Sequence, residues 1–164
     1  MMMSGQLTHF DERGSSRMVD VSRKTVTERQ ARAASIVDMA TDTWQLIRDR
    51  GVAKGDVLEV ARLAGIMAAK RTGELIPLCH PLALEAIEIS FAFLPPASLR
   101  IEATVRVTAK TGVEMEALTA ACVAALTVYD MCKSVDRGMT IRQVRLEEKS
   151  GGQSGHYLRH EELT

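Results

Sequence analysis

Residues 114–135 read EMEALTAACVAALTVYDMCKSV, and this segment predicts the central helix of the fold. Its larger apolar side chains recur every three or four residues, the period of an α-helix: Met115, Leu118, Cys122, Ala125, Tyr129 and Cys132. Between Ala117 and Met131 the polar side consists only of Thr119, Thr127 and Asp130. A helix this apolar must be buried on nearly all sides, so we expect it to pack on a sheet and against further helices.

Alternating apolar and polar residues predict strands on both sides of this helix. IEISF at 87–91 and the run Leu99–Thr108 both alternate, and PPAS at 95–98 between them predicts an antiparallel hairpin. The same pattern predicts three further strands: Met18–Ser22, Arg32–Met39 (for which a helix is the alternative) and Val144–Glu148.

Two helices are predicted before the hairpin. The first covers Thr43–Arg50 and is followed by Gly51, a usual stop signal. The second covers Val57–Arg71 after the turn KGD at 54–56, where Asp56 can cap it. Its predicted apolar face consists of Val57, Val60, Ala61, Ala64, Met67 and Ala68. A glycine and two prolines predict a loop or an extended crossing over Thr72–Leu82.

This order of elements predicts an α+β fold of the ferredoxin-like type, with an antiparallel sheet and helices packed on one face. A chain of 164 residues argues for one domain. We expect a single catalytic domain at 18–157, preceded by a mobile N-terminal segment at 1–17 and followed by a polar tail at 158–164. Within this scheme Ser150–Gly155 is a flexible loop.

Composition narrows the class of protein. Lys plus Arg and Asp plus Glu both number 21, and only 4% of residues are aromatic, so nucleic-acid binding is disfavoured. Three cysteines without a CxxC pair fit a reducing compartment. The first thirty residues lack an apolar signal core, and the longest apolar run is shorter than the ~20 residues of a membrane span. We therefore expect a cytoplasmic protein that binds neither nucleic acid nor a membrane.

The chain has six lysines and fifteen arginines, so it fills most cationic positions with arginine. The positions occupied by lysine are therefore candidates for chemistry that arginine cannot perform. Lys54, Lys110 and Lys149 each border a glycine-containing turn, although a solvated surface lysine is the ordinary explanation for any one of them. KSGGQSG at 149–155 has the glycines and the cation of a phosphate cradle, but a flexible linker has the same composition.

Asp130 and Lys133 lie three residues apart and therefore share one face of the long helix. An exposed pair of this kind contributes little to stability, whereas a buried pair is costly and shifts both pKa values. On a helix this apolar, we expect the pair to be buried and therefore to have a function that offsets the cost of burying it.

Glu114 and Glu116 open the same helix, where carboxylates also interact favourably with the helix dipole. Glu116 and Asp130 are fourteen residues apart, roughly 21 Å along the helix axis. Either the ligand is long, or helices of two subunits pair antiparallel and bring opposite ends together. The second arrangement also explains the apolar surface, so we predict a homo-oligomer with a shared site.

LCHP at 78–81 places Cys79 and His80 in a constrained loop. The sequence displays no further ligands at the spacing of a metal site, so no metal is expected there. His80 either contacts a phosphate or a carboxylate of the ligand or has a structural role.

Five segments carry a resemblance that covers Gln6–Gly155: LTHF, MVDVSRK, KGDV…ARLAGIMAAKRTGELIPLCHPL, KTGVEMEALTAACVAALTVYDMCK and VRLEEKSGG. Together they are similar to the cyclic pyranopterin monophosphate synthase family, the C protein of molybdenum-cofactor biosynthesis. The resemblance implies a ferredoxin-like fold and hexamers built from three dimers, with the site at the dimer interface. It also implies conversion of 3′,8-cyclo-7,8-dihydroguanosine 5′-triphosphate to cyclic pyranopterin monophosphate, with release of pyrophosphate.

The resemblance further implies roles for individual residues. Asp130 in YDMCK matches the family's catalytic carboxylate, and Lys133 matches its partner in proton transfer. The implied substrate contacts are Leu78, Cys79, His80, Met115, Glu116 and Glu114, with Lys54, Lys149 and Arg29 as a basic pocket suited to a triphosphate. No cofactor is implied as required, and Mg²⁺ accompanying the triphosphate is left open.

One departure from the family pattern concerns Gln153, which occupies a loop position that is often basic in relatives and puts that loop's contact with phosphate in question. The alternative function is an inactive nucleotide-binding scaffold protein of the same fold. That alternative requires a broken motif, whereas KGDV, LCHP, VEMEA and YDMCK are intact.

Overall fold

The computed structural model describes residues 8–49, 56–153 and 155–160, which form a five-stranded sheet and four helices. The elements follow in the order β1 (Thr27–Asp38), α1 (Thr41–Arg48), α2 (Val57–Lys70), α3 (Thr72–Leu75), β2 (Ala86–Leu94), β3 (Ser98–Ala109), α4 (Glu114–Cys132), β4 (Thr140–Ser150) and β5 (Tyr157–Leu158). Within the sheet the strands lie in the order β2-β3-β1-β4-β5, and each neighbouring pair is antiparallel.

Strand β1 is the centre of the sheet. It pairs with β3 without interruption from Thr27 opposite Ala109 to Asp38 opposite Ser98, and with β4 on its other side. Since β3 is antiparallel to both β1 and β2, those two strands run parallel with β3 inserted between them, the split β-α-β arrangement. The α+β class and the antiparallel sheet predicted from the sequence are confirmed.

The core lies between the sheet and α4. Every second residue of β3 from Leu99 to Val107 is buried, as the alternating pattern predicted. The buried positions of α4 are mostly alanines, whose small side chains let the helix lie close to β1. The Ser35 hydroxyl on β1 accordingly donates a hydrogen bond to the Ala121 carbonyl of α4 at 3.0 Å.

Helix α2 packs against α4 and extends the helical layer over β2. Gly65 of α2 lies at this contact. A Cβ atom at this position would collide with the Ile89 side chain and lie 3.0 Å from the Ala120 carbonyl oxygen. The close approach of the two helices therefore depends on the absence of a side chain.

The opposite face of the sheet carries paired charges. Arg32 bonds Glu102 at 2.9 Å and Glu148 at 3.1 Å, while Arg100 bonds both Glu102 and Glu147 at 3.1 Å. These pairs lie across strands β3, β1 and β4. The helices therefore cover one face of the sheet, and hydrogen-bonded charges cover the other.

Several predicted elements are confirmed with shifted ends. Arg32–Met39, for which a strand was preferred over a helix, lies almost entirely in β1, and the predicted helix Thr43–Arg50 corresponds to α1. Asp56 caps α2, since its carboxylate accepts hydrogen bonds from the backbone N–H groups of Leu58 and Glu59 at 3.0 and 3.3 Å. The predicted stop at Gly51 and the turn residues at 54–55 lie outside the described residues.

The predicted strand at Met18–Ser22 is wrong, because this segment pairs with no strand of the described sheet. Its alternation has another cause, since Val19 and Val21 both line a cavity described below. The predicted loop over Thr72–Leu82 begins instead with α3. Ser150, expected in a loop, is the last residue of β4.

Two details of the predicted helices also differ. Helix α4 ends at Cys132 rather than at residue 135, because the N–H groups of Val135 and Asp136 bond back to the Cys132 carbonyl in a turn. On α2, Val60 and Met67 are exposed although they were expected on the buried face.

Helix α4 is the one helix in the described part of the chain whose length and composition would allow it to cross a membrane. Core helices pass the same test, and α4 packs against β1, β3, β4 and α2. Residues 1–7 of the predicted mobile segment and residues 161–164 of the predicted tail lie outside the described ranges. In the described part of the predicted mobile segment, Phe10 and Ser16 form an antiparallel bridge that closes a turn.

Candidate active site

A cavity of about 270 Å³ opens at the N-terminal end of α4. Three segments form its walls: the N-terminal segment (Thr8, His9, Val19, Val21, Lys24), the loop after α3 (Leu78, Cys79, His80, Leu82) and the β3–α4 turn with the start of α4 (Thr111, Gly112, Glu114, Met115, Glu116). Six side chains predicted as substrate contacts thus share one cavity: Leu78, Cys79, His80, Glu114, Met115 and Glu116.

Helix α3 holds the loop that carries Cys79 and His80. The buried Thr72 hydroxyl donates to the Ala68 carbonyl of α2 at 3.2 Å, which fixes the start of α3. The Cys79 N–H then bonds the carbonyl of Ile76 at 3.1 Å. Together these bonds direct the LCHP loop toward the first turn of α4.

Glu116 is the buried carboxyl group of the cavity, with only 4% of the residue exposed. Burial raises the pKa of Glu116, and the negative charge of Glu114 raises it further against a hydrogen bond from its own backbone. Burial likewise raises the pKa of the Cys79 thiol, with a smaller contribution from Glu116. A carboxyl group that keeps its proton to higher pH is suited to general acid and base chemistry.

Lys149 lies at the edge of the cavity, where it forms an ion pair with Glu114 of the cavity wall. Its Nζ lies 2.8 Å from Glu114 Oε1. Lys149 is near the end of β4, opposite Ala31 of β1, whereas Glu114 is in the first turn of α4. A cation predicted from the sequence is therefore bound to one of the wall carboxylates.

Arg29 lies under the glycine turn that follows β4. Its Nε donates to the Ala109 carbonyl at 3.0 Å, two residues before Thr111 of the cavity wall. Gly151 and Gly152 have φ values of 92° and 75°, a region that favours glycine. A Cβ at Gly152 would collide with the Arg29 guanidinium. The KSGG segment thus packs directly on this cation.

Asp130 and Lys133 lie at the opposite end of α4, outside the cavity. Their side chains are 67% and 57% exposed, and Lys133 Nζ lies 2.6 Å from Asp130 Oδ1. The hydrogen bond that Lys133 donates to Asp130, together with the negative charge of Asp130, raises the pKa of Lys133. The burial of this pair expected from the sequence is therefore not found in the single chain, where both side chains are solvated.

Sequence reasoning missed the N-terminal wall of the cavity. Polar composition without periodicity predicted a mobile segment, yet Thr8 and His9 line the cavity together with Lys24. The usable signals were the LTHF and MVDVSRK segments, which contain these residues, and the scarcity of lysine. Lys54, the remaining predicted cation, lies outside the described residues.

The described residues contain neither a disulfide nor an arrangement of side chains typical of a metal site. Cys79, Cys122 and Cys132 are free thiols. Within the same ranges, no group of three or more His, Cys, Asp and Glu side chains is placed to hold a metal ion. Among the described residues that line the cavity, the titratable groups are two carboxyl groups, two imidazoles, one thiol and the Lys24 ammonium, with Lys149 at the edge.

The fold and this cavity define a small α+β protein with a charged pocket at the start of its central helix. The model of the MoaC family matches residues 18–152, which include β1 to β4, α1 to α4 and most of the cavity wall. The chain belongs to the MoaC family.

Curated relatives carry a more specific name. A protein of Mycobacterium tuberculosis named cyclic pyranopterin monophosphate synthase 3 is 62% identical over 157 residues, which cover 96% of this chain and 89% of the relative. The cyclic pyranopterin monophosphate synthase of Desulfitobacterium hafniense is 56% identical over 96% of this chain and 97% of its own. The cyclic pyranopterin monophosphate synthase of Heliobacterium modesticaldum is 59% identical over 94% of this chain and 98% of its own.

Proposed function

We infer that this chain is a cyclic pyranopterin monophosphate synthase, a lyase of molybdenum-cofactor biosynthesis. It converts 3′,8-cyclo-7,8-dihydroguanosine 5′-triphosphate to cyclic pyranopterin monophosphate and pyrophosphate. Two observations together carry this inference. Relatives with this name match nearly the whole chain, and residues of the chain's LCHP and VEMEA motifs line one cavity.

The reaction needs proton transfer while the base-derived rings open and close again. Glu116 is suited to this task, because burial lets its carboxyl group keep a proton at a pH where an ordinary carboxyl group has lost it. We propose that Asp130 and Lys133 supply the further proton-transfer groups, and that Leu78, Cys79, His80, Met115 and Glu114 contact the substrate.

The second part of the reaction closes a cyclic phosphate by attack on the α-phosphorus, with pyrophosphate as the leaving group. Phosphoryl displacement depends on cations that absorb the developing charge. We propose that Lys149, Arg29, Lys54 and Lys24 provide these charges. The contact of Lys149 with a cavity carboxylate and the position of Lys24 in the wall support this assignment.

We propose that two copies of the chain complete each site, within a hexamer of three dimers. In one copy the cavity and Asp130 lie at opposite ends of a helix of 19 residues. The outer surface of the helical layer exposes Val60, Leu63 and Met67 on α2 and Leu126 on α4, which a second copy would bury. An antiparallel pair of α4 helices would place Asp130 and Lys133 of one copy beside the partner's cavity.

Three further proposals complete this assignment. The split β-α-β topology supports a fold of the ferredoxin-like type. We propose that catalysis takes place in the cytoplasm, where reduced cysteines persist, and that it needs no resident cofactor. Whether the reaction depends on Mg²⁺ bound to the triphosphate is tested by comparing rates with added Mg²⁺ and with a chelator.

Pyrophosphate release from the cyclic guanosine triphosphate intermediate tests the function directly. The purified protein is expected to release pyrophosphate in step with a pterin product that becomes fluorescent on oxidation. Binding of the triphosphate without release of pyrophosphate would contradict the assignment and favour the inactive scaffold.

Subunit complementation tests the shared site. Glu116→Gln and Asp130→Asn are each expected to be inactive alone. When the two variants are co-expressed with different tags and purified as mixed oligomers, about a quarter of the sites should combine two unaltered halves and restore activity. A mixed oligomer without activity, or a monomeric active enzyme, would contradict the shared site.

A further inference from the structure

The N-terminal segment 8–24 forms one wall of the cavity. Five of its residues line the cavity: Thr8, His9, Val19, Val21 and Lys24. The segment belongs to no strand of the sheet, so hydrogen bonds within turns and side-chain contacts hold it in place.

Two turns fix the direction of this wall. In the first, Asp11 Oδ1 accepts hydrogen bonds from the N–H groups of Arg13 and Ser15 at 2.9 Å, and the Arg17 N–H bonds the His9 carbonyl at 2.9 Å. His9 therefore lies at the closed base of this turn, where its backbone position is determined.

The second turn is tied to the main body of the fold. Asp20 Oδ1 accepts from the Ser22 N–H at 2.8 Å, and the Lys24 N–H bonds the Val21 carbonyl at 3.0 Å. Lys110, in the turn between β3 and α4, donates from Nζ to the Ser22 carbonyl at 2.8 Å. This lysine joins the N-terminal wall to the wall that carries Glu114.

The two walls differ in charge and hydrogen-bonding character. The start of α4 offers the carboxyl groups of Glu114 and Glu116, whereas the N-terminal wall offers the His9 imidazole and the Lys24 ammonium. A neutral imidazole always keeps one N–H donor. Lys149 offsets the charge of Glu114 at the rim, and the N-terminal wall adds a hydrogen-bond donor and a second cation, so the phosphates of a triphosphate fit along the N-terminal wall between Lys24 and the rim.

We propose that His9 is a substrate-contacting residue that donates a hydrogen bond to a phosphate oxygen of the triphosphate. The proposal rests on the synthase function inferred above. Lys110 is a positioning residue in this scheme, since it acts through the wall that carries His9 and does not line the cavity itself.

His9→Ala tests the contact, with His160→Ala as the matched control because His160 is also exposed but lies after β5. Loss of one hydrogen bond to a charged group should raise the KM for the substrate and weaken product inhibition by pyrophosphate, both about tenfold. His160→Ala should change neither. An unaltered KM and inhibition constant in His9→Ala would overturn the proposal.

Calorimetric binding of inorganic pyrophosphate separates this proposal from the proposed function. Weaker pyrophosphate binding by His9→Ala than by wild type supports the contact even if wild type forms no pterin, an outcome that would refute only the synthase assignment. Equal binding by the two proteins refutes the contact.

Lys110→Met, which loosens the wall without altering its lining, should raise the KM with little effect on kcat. An unchanged KM in this variant would count against an ordered wall.

Discussion

The Lys149 ammonium lies 2.8 Å from a carboxylate oxygen of Glu114, an ion pair that joins the end of β4 to the first turn of α4. Both side chains are about one quarter exposed, so the pair lies at the rim of the cavity and not in the core. The contact places a positive charge at the mouth of a cavity whose wall is acidic on this side. Substrate phosphates would compete with Glu114 for this cation.

Lys149→Gln should lower kcat/KM about ten- to hundredfold, the size of effect expected for a lost contact between a cation and a phosphate. The matched control is Lys70→Gln, an exposed lysine at the end of α2 that is not among the residues lining the cavity. Steady-state rates of pyrophosphate release for both variants provide the measurement. Equal losses in the two variants would indicate a general effect of charge and not a site contact.

Asp130→Asn and Lys133→Ala should abolish turnover and leave stability unchanged. An exposed pair three residues apart on a helix contributes little to folding, whereas loss of a proton-transfer group costs about a hundredfold or more in rate. The control is Asp49→Asn, which breaks the exposed Arg48–Asp49 pair on α1 and should affect neither property. Thermal unfolding and turnover are measured together, and near-normal rates in the Asp130 and Lys133 variants would rule out this pair.

Glu116→Gln should be inactive yet more stable than wild type at neutral pH. Burial raises the folded-state pKa of Glu116 above its ordinary value of 4.5, so the protonated form stabilises the fold. That contribution is fully present below pH 4.5 and is lost as the pH rises through the folded-state pKa. Glutamine cannot ionise, so the variant does not lose this stability as the pH rises.

Urea unfolding between pH 4 and pH 8 measures this difference. The free energy of unfolding of Glu116→Gln should exceed that of wild type at pH 7 and converge with it at the acidic end. Glu88→Gln, at an exposed position of β2, serves as the control and should follow wild type throughout. A variant less stable than wild type at pH 7 would show that the ionised carboxylate stabilises the fold.

Gly65→Ala should destabilise the protein by about 1–3 kcal/mol, because overpacking at the α2–α4 contact forces the helices apart. The added Cβ would collide with Ile89 and lie 3.0 Å from the Ala120 carbonyl oxygen. Gly138→Ala is the control, since its nearest atom would be Asp136 Oδ1 at 3.4 Å. Chemical denaturation compares the two, and equal midpoints would mean that the contact adjusts without cost.

Local patterns identified most of the fold because their periods report which side of an element is buried. The alternation in Leu99–Thr108 agreed with the structure. In α4 the three- and four-residue steps predicted the helix but not its buried side, which consists mostly of alanines, whereas Met115 of the predicted apolar stripe is exposed. The same reasoning failed at Met18–Ser22, where alternation reflects valines that line a cavity and not pairing in a sheet. A pattern shows that alternate residues are covered, but not by what.

The sequence alone determined the order of the longer elements from β1 to β4, the apolar central helix and the motifs that define the family, since each is encoded by residues close together in the chain. Tertiary structure decided which of these motifs meet. It brought Glu116, Cys79 and His9 to one cavity and left Asp130 exposed to solvent outside that cavity. The reason is physical: contacts between distant segments depend on how the helices pack on the sheet, and a straight helix keeps its two ends apart.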